Sequence, residues 1–156
     1  MLEDLPTLSP VQYSLVFNMF SFTVATMYAA FVYFVLARKN LAPKYRISMM
    51  VSALVVFIAG YHYFRITQGW EAAYVLTDAG MYEYSGKPFN DAYRYVDWLL
   101  TVPLLTIELV LVMGLPKGKS GKLMAKLGIG AALMIATGYP GEIAETMASR
   151  AIWGTI

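Results

Sequence analysis

Two carboxylic acids, Asp97 and Glu108, stand inside a stretch of the 156-residue sequence that is otherwise almost wholly apolar, accompanied by Arg94 and Thr101. An ionisable group within an apolar span is costly and marks function by default. Arg94, Asp97, Thr101 and Glu108 step by three, four and seven residues, which puts all four on one face of a helix. At about 1.5 Å per residue, Asp97 and Glu108 are about 16 Å apart along that helix, half the thickness of a bilayer's hydrocarbon. Arg94, one turn away, supports an ionised Asp97, whereas Glu108 among Ile107, Leu109, Val110 and Leu111 has an apolar setting that favours a neutral acid. A charged acceptor in line with a protonated donor describes a proton relay. The plainer alternative is that both acids bind partner helices by hydrogen bonds, but two on one face with an arginine and a threonine favour the relay.

His62, the single histidine, lies where it could reach Asp97 if its helix is a neighbour. Spacing alone favours a packed histidine bonded to a backbone carbonyl. Arg65 is expected to snorkel toward the interface, and Pro103 to mark a tolerated kink. Cysteine is absent, so no disulfide, thiolate metal site or cysteine nucleophile exists, and one histidine offers little to a metal; none is expected.

The elements that hold these residues must be membrane helices. Hydrophobic residues make up 58% of the chain and charged ones 14%, too apolar for a soluble globule. Spans are expected at about 11–37, 47–66, 91–115, 122–139 and 143–156, with a hairpin-like loop at 67–90, in one membrane domain of 1–156. The last would contain 14 residues, about 21 Å of helix, so the chain looks cut within it. Arg38, Lys39, Lys44, Arg46, Lys117, Lys119, Lys122 and Lys126 fall in two loop regions, while Glu3, Asp4, Glu71, Asp78, Glu83, Asp91, Glu142 and Glu145 fall at the opposite ends. The positive-inside rule makes the basic loops cytoplasmic and the N-terminus extracellular, in a multi-pass protein of the cell membrane. A net charge of +2 suggests no nucleic-acid partner.

The run from Arg94 through Asp97, Trp98, Thr101, Pro103 and Leu105 to Glu108 closely resembles the third helix of microbial rhodopsins of the proteorhodopsin and xanthorhodopsin type. The similarity extends along the whole chain, through His62, Met134, Thr137, Gly138 and the segment Ala151-Ile-Trp-Gly154-Thr-Ile. It implies an all-α integral membrane fold, the N-terminal five helices of a seven-transmembrane-helix bundle that binds retinal through a lysine on the seventh. It also implies an ion transporter rather than an enzyme.

By that resemblance Asp97 is the primary counterion and proton acceptor, His62 its hydrogen-bonded partner, Arg94 the arginine of the outer half-channel and Glu108 the cytoplasmic proton donor. Asp97, Thr101 and Glu108 match the pattern of outward proton pumps. Trp98, Thr101, Leu105, Met134 and Gly138 match residues lining retinal, with Leu105 like the leucine of green-absorbing members. Gly154 matches the glycine that opens a window for a hydroxylated carotenoid antenna, although close helix packing would also explain a glycine. The resemblance further implies membrane lipid, the remaining helices and further copies in a pentamer or similar ring as partners. The lysines present all sit in loops or at helix ends, so the retinal-bearing one is expected in a remainder of the protein. A sensory rhodopsin and a pigment-free five-helix scaffold are the competing readings.

Overall fold

The computed structural model describes residues 5–87, 89, 93–144 and 146–154, without the side chain of Lys117. Glu3, Asp4, Asp91 and Glu145, and with them the expected start of the third span, lie outside the described residues. Helix α1 spans Pro10–Ala37, α2 Arg46–Ala73, α3 Tyr93–Met113, α4 Lys117–Glu142 and α5 Met147–Gly154, and two short strands, β1 (Tyr74–Leu76) and β2 (Tyr82–Tyr84), lie between α2 and α3. Helices α1 to α4 are long and apolar enough to cross a membrane. The fold is an all-α membrane bundle in which successive helices pack side by side, α1 on α2, α2 on α3 and α3 on α4.

Helix α1 starts at a capping box. The Ser9 hydroxyl accepts from the Gln12 backbone N–H at 3.3 Å, the Gln12 side chain accepts from the Ser9 N–H at 2.9 Å, and Pro10 fills the first helical position. No residue of α1 is buried, as expected of a helix whose apolar surface meets lipid on most sides. Its contact with α2 depends on Gly60, where an added Cβ would lie 3.2 Å from both the Met27 Cβ and the Tyr28 ring. A small residue at that crossing lets two membrane helices approach.

Helix α2 extends seven residues past the expected Ile66, because Thr67, Trp70 and Ala73 continue its buried face by helical spacing. Trp70 then packs on Tyr74 with ring centroids 4.7 Å apart, and Tyr13 of α1 stacks on Tyr82 at 3.8 Å. The antiparallel hairpin pairs Tyr74 with Tyr84 and Leu76 with Tyr82, and Leu8 bridges to Tyr82. The α1 entry, the hairpin and the end of α2 thereby form one aromatic cap. Helix α4 is longer at both ends than 122–139: it begins directly after Pro116, and Pro140 sits within it. Helix α3 likewise continues through Pro103, whose carbonyl accepts from the Thr106 hydroxyl at 2.7 Å.

Replacing Gly60 by leucine should force α1 and α2 apart. Overpacking of this kind costs about 1–3 kcal/mol, so thermal unfolding of the complete protein in detergent should shift down by several degrees; an unchanged midpoint would show that the crossing tolerates a side chain.

Candidate functional site

Helices α2 and α3 bring His62, Asp97 and Thr101 together, all three buried. The Thr101 hydroxyl donates to the Asp97 carbonyl at 2.9 Å and lies 3.4 Å from Asp97 Oδ2. This return bond to the preceding turn is a common way for a threonine to satisfy itself inside a helix. Both orientations considered for His62 meet at one atom: its Nδ1 is 3.0 Å from the Ile58 carbonyl oxygen and 3.3 Å from Asp97 Oδ1. With its Nδ1–H directed at the carbonyl, the imidazole stands beside the carboxylate without closing a hydrogen bond to it. Asp97 Oδ1 is therefore a buried acceptor with no hydrogen-bond partner among the described residues.

Deeper along α3, at the end of the bundle where the basic loops lie, Glu108 meets a residue to which the sequence reading gave no role. The Ser52 hydroxyl of α2 donates to Glu108 Oε1 and is also 3.2 Å from the Ser48 carbonyl oxygen. Ser48 and Ser52, the polar pair in the otherwise apolar stretch 47–60 of α2, were the available signal, since hydroxyls on one face of a membrane helix can hydrogen-bond across to a neighbouring helix.

At the opposite end, Arg94, expected one turn from Asp97 to support its ionised form, makes an ion pair with Glu142 of α4. Arg94 Nη2 lies 3.8 Å from Glu142 Oε1, and Tyr95 donates to Glu142 Oε2 at 3.4 Å. The approach has a geometric reason: α4 ends beside the start of α3, where a Cβ added at Gly138 would lie 3.4 Å from the Tyr95 ring and the Tyr95 and Tyr139 rings are 5.8 Å apart. Glu142 counted in the sequence only as an outer acid.

The remaining candidates form two groups. Trp98 and Leu105 lie on α3 with side chains 38% and 46% exposed, a surface where an apolar ligand or further helices could pack. Met134, Gly138 and Gly154 line one recess of about 500 Å³ between α4 and α5, shared with Leu133, Thr137 and Trp153. A Cβ at Gly154 would meet nothing within 4 Å, whereas one at Gly141 would lie 2.9 Å from the Trp153 Cβ. Close packing of α5 therefore depends on Gly141, not Gly154. No cluster of histidine, cysteine and acidic side chains suited to a metal occurs among the described residues.

This arrangement has close counterparts. Residues 15–156 match the bacteriorhodopsin-like protein family. The green-light absorbing proteorhodopsin of the gamma-proteobacterium EBAC31A08 is 34% identical over 123 residues, which cover 79% of this chain and 44% of that protein. The crystallographic structure of xanthorhodopsin, described as a light-driven ion pump with dual chromophore, superposes with a TM-score of 0.92 at 74% identity over 97% of this chain and 61% of its own. A thermophilic rhodopsin gives the same TM-score at 55% identity, over 97% of this chain and 60% of its own. The chain thus spans less than two thirds of the length of the relatives it matches. It belongs to the bacteriorhodopsin-like family, as a microbial rhodopsin of the proteorhodopsin and xanthorhodopsin type.

Proposed function

We propose that the complete protein carrying this segment is a light-driven outward proton pump that uses retinal. The observation that carries the reading is Asp97 Oδ1, a carboxylate oxygen buried beside His62 and Thr101 with no hydrogen bond of its own. A buried anion needs a cationic or hydrogen-bonding neighbour, and a protonated retinal imine, held by a lysine in the remainder of the protein, is a cation of that kind. By the family resemblance, Trp98, Thr101 and Leu105 on α3 and Met134 and Gly138 on α4 are the residues that would hold the chromophore. Retinal would supply light absorption and a proton whose release is driven by the photon.

The chain's own groups then have defined tasks. Asp97 Oδ1 takes up a proton, and the neutral carboxyl relieves the charge buried on α3. His62 Nδ1–H, shared between the Ile58 carbonyl at 3.0 Å and this oxygen at 3.3 Å, stands close enough to turn toward it. Glu108 holds the proton for the return step. Its contact with Ser52 supports this, because the single hydroxyl proton of Ser52 cannot serve both Ser48 and Glu108. A protonated Glu108 satisfies both contacts by donating to Ser52 Oγ, leaving the serine proton for the carbonyl. Arg94, anchored to Glu142, lies at the outer end of the path. The basic loops after α1 and after α3 support a cytoplasmic placement of the Glu108 end, an extracellular N-terminus and hence outward transport.

The open space at Gly154 supports a carotenoid antenna lying across the α4–α5 recess. Family resemblance alone supports a homo-oligomeric ring.

Asp97→Asn in the complete protein should red-shift the visible band and reduce light-driven proton export to background, measured as pH change in illuminated vesicles; sustained export would remove Asp97 as acceptor. For Glu108→Gln, turnover of the photocycle should slow by about 10²-fold or more, in the range of a lost general acid, and recover with azide. Ser52→Ala should slow the same step less. A cycle that is already slow in the unmodified protein, with little net export, would favour the sensory reading. Placing a bulky ring at the recess with Gly154→Trp should abolish carotenoid-to-retinal energy transfer in the fluorescence excitation spectrum in protein that still forms a retinal band; transfer at full strength would place the antenna elsewhere.

A further inference from the structure

The loop between α1 and α2 gathers Arg38, Lys39, Lys44 and Arg46, and no ion pair to any of them occurs among the described residues. Three of these line a recess of about 240 Å³, Arg38, Lys39 and Arg46, together with Ile47 and Met50 of α2. The recess has a fixed frame. Arg46 donates from Nε to the Leu41 carbonyl at 3.1 Å and from Nη2 to the Lys39 carbonyl at 3.4 Å. Those bonds fold the loop back over the start of α2 and leave further guanidinium donors available. Lys44 is turned aside, its ammonium 4.7 Å over the Tyr45 ring.

Below this charged rim the surface becomes apolar. Ile47 is 65% exposed, and Leu54, two turns deeper on the same face of α2, is also exposed, as is Leu36 at the end of α1. Guanidinium and ammonium groups above an exposed apolar strip match a molecule with an anionic phosphate at one end and hydrocarbon at the other. Free phosphate would use the rim alone and leave the strip without a partner.

We propose that this recess is a binding site for the headgroup of an anionic phospholipid, with one acyl chain lying along Ile47 and Leu54. Arg38 and Lys39 contact the phosphate, and Arg46 both shapes the loop and adds charge. The inference is independent of pumping, since none of these residues belongs to the Asp97–Glu108 path.

The test is native mass spectrometry of the complete protein in detergent with added phosphatidylglycerol, with phosphatidylcholine in parallel. The unmodified protein should retain phosphatidylglycerol preferentially. The double variant Arg38→Gln/Lys39→Gln, which leaves Arg46 to hold the loop, should weaken that adduct by about tenfold or more, because each basic residue near the headgroups adds to the attraction of an anionic lipid. Lys122→Gln/Lys126→Gln removes equal charge from α4 and should not. An unchanged visible band in both variants establishes that each is folded. Equal retention of the two lipids, equal loss in both variants, or displacement of phosphatidylglycerol by millimolar inorganic phosphate would each overturn the proposal.

Discussion

A carboxylate buried between membrane helices is the constraint on which the rest of the structure depends. Asp97 is excluded from water in a bundle whose surroundings offer few hydrogen bonds, so every helix near it must supply something polar or close off access. His62 of α2 and Thr101 of α3 supply the polar atoms, and Ala53 and Ala59 of α2 are small enough to be buried. The glycine crossing at Gly60 sets how closely α1 approaches the helix that carries His62. The aromatic cap made by Tyr13, Trp70, Tyr74 and Tyr82 then fixes the C-terminal end of α2 against the hairpin. The position of His62 relative to Asp97 is thus the product of contacts along the whole of α2.

Polar contacts along the bundle fall at three levels. Glu142 meets Arg94 and Tyr95 at one end, His62 and Thr101 meet Asp97 further in, and Ser52 meets Glu108 toward the other end. Each level joins α3 to a neighbour, to α4 and, through Arg65 and Tyr93, to α2 in the first case, and to α2 in the other two. Leu104, Leu105 and Ile107 of α3 stand between the Asp97 and Glu108 levels, so these polar groups form separate stations along the helix. Stations of this kind suit the proposed proton transfer, because a proton that can rest at separate sites needs a driven step to move between them.

Much of this was legible in the chain. The charge-free runs gave the helices, and the basic residues at one set of ends gave the sidedness now proposed. The three-, four- and seven-residue steps put Arg94, Asp97, Thr101 and Glu108 on one face of α3. Less legible were the helix ends: α2 continues to Ala73 because Trp70 finds a packing partner in Tyr74. Local sequence at Thr67 to Ala73 reads as polar loop when that partner is not in view.

What the sequence by itself determined was which residues share a helix face and how far apart they are along its axis, since both follow from a fixed rise and rotation per residue. Tertiary structure alone decided which residues on different helices meet. Ser52 with Glu108, Glu142 with Arg94, and the division of His62 Nδ1 between Ile58 and Asp97 all depend on how each helix is rotated about its axis. In a soluble protein that rotation is written as an apolar stripe. Here lipid and bundle interior are equally apolar, so the stripe fades and only sparse polar residues and glycines record it. Gly154 makes the point most directly: the sequence left it open to a carotenoid window or to close packing, and only the positions of α4 and α5 reveal that the packing glycine is Gly141, while a Cβ at Gly154 meets nothing within 4 Å among the described residues.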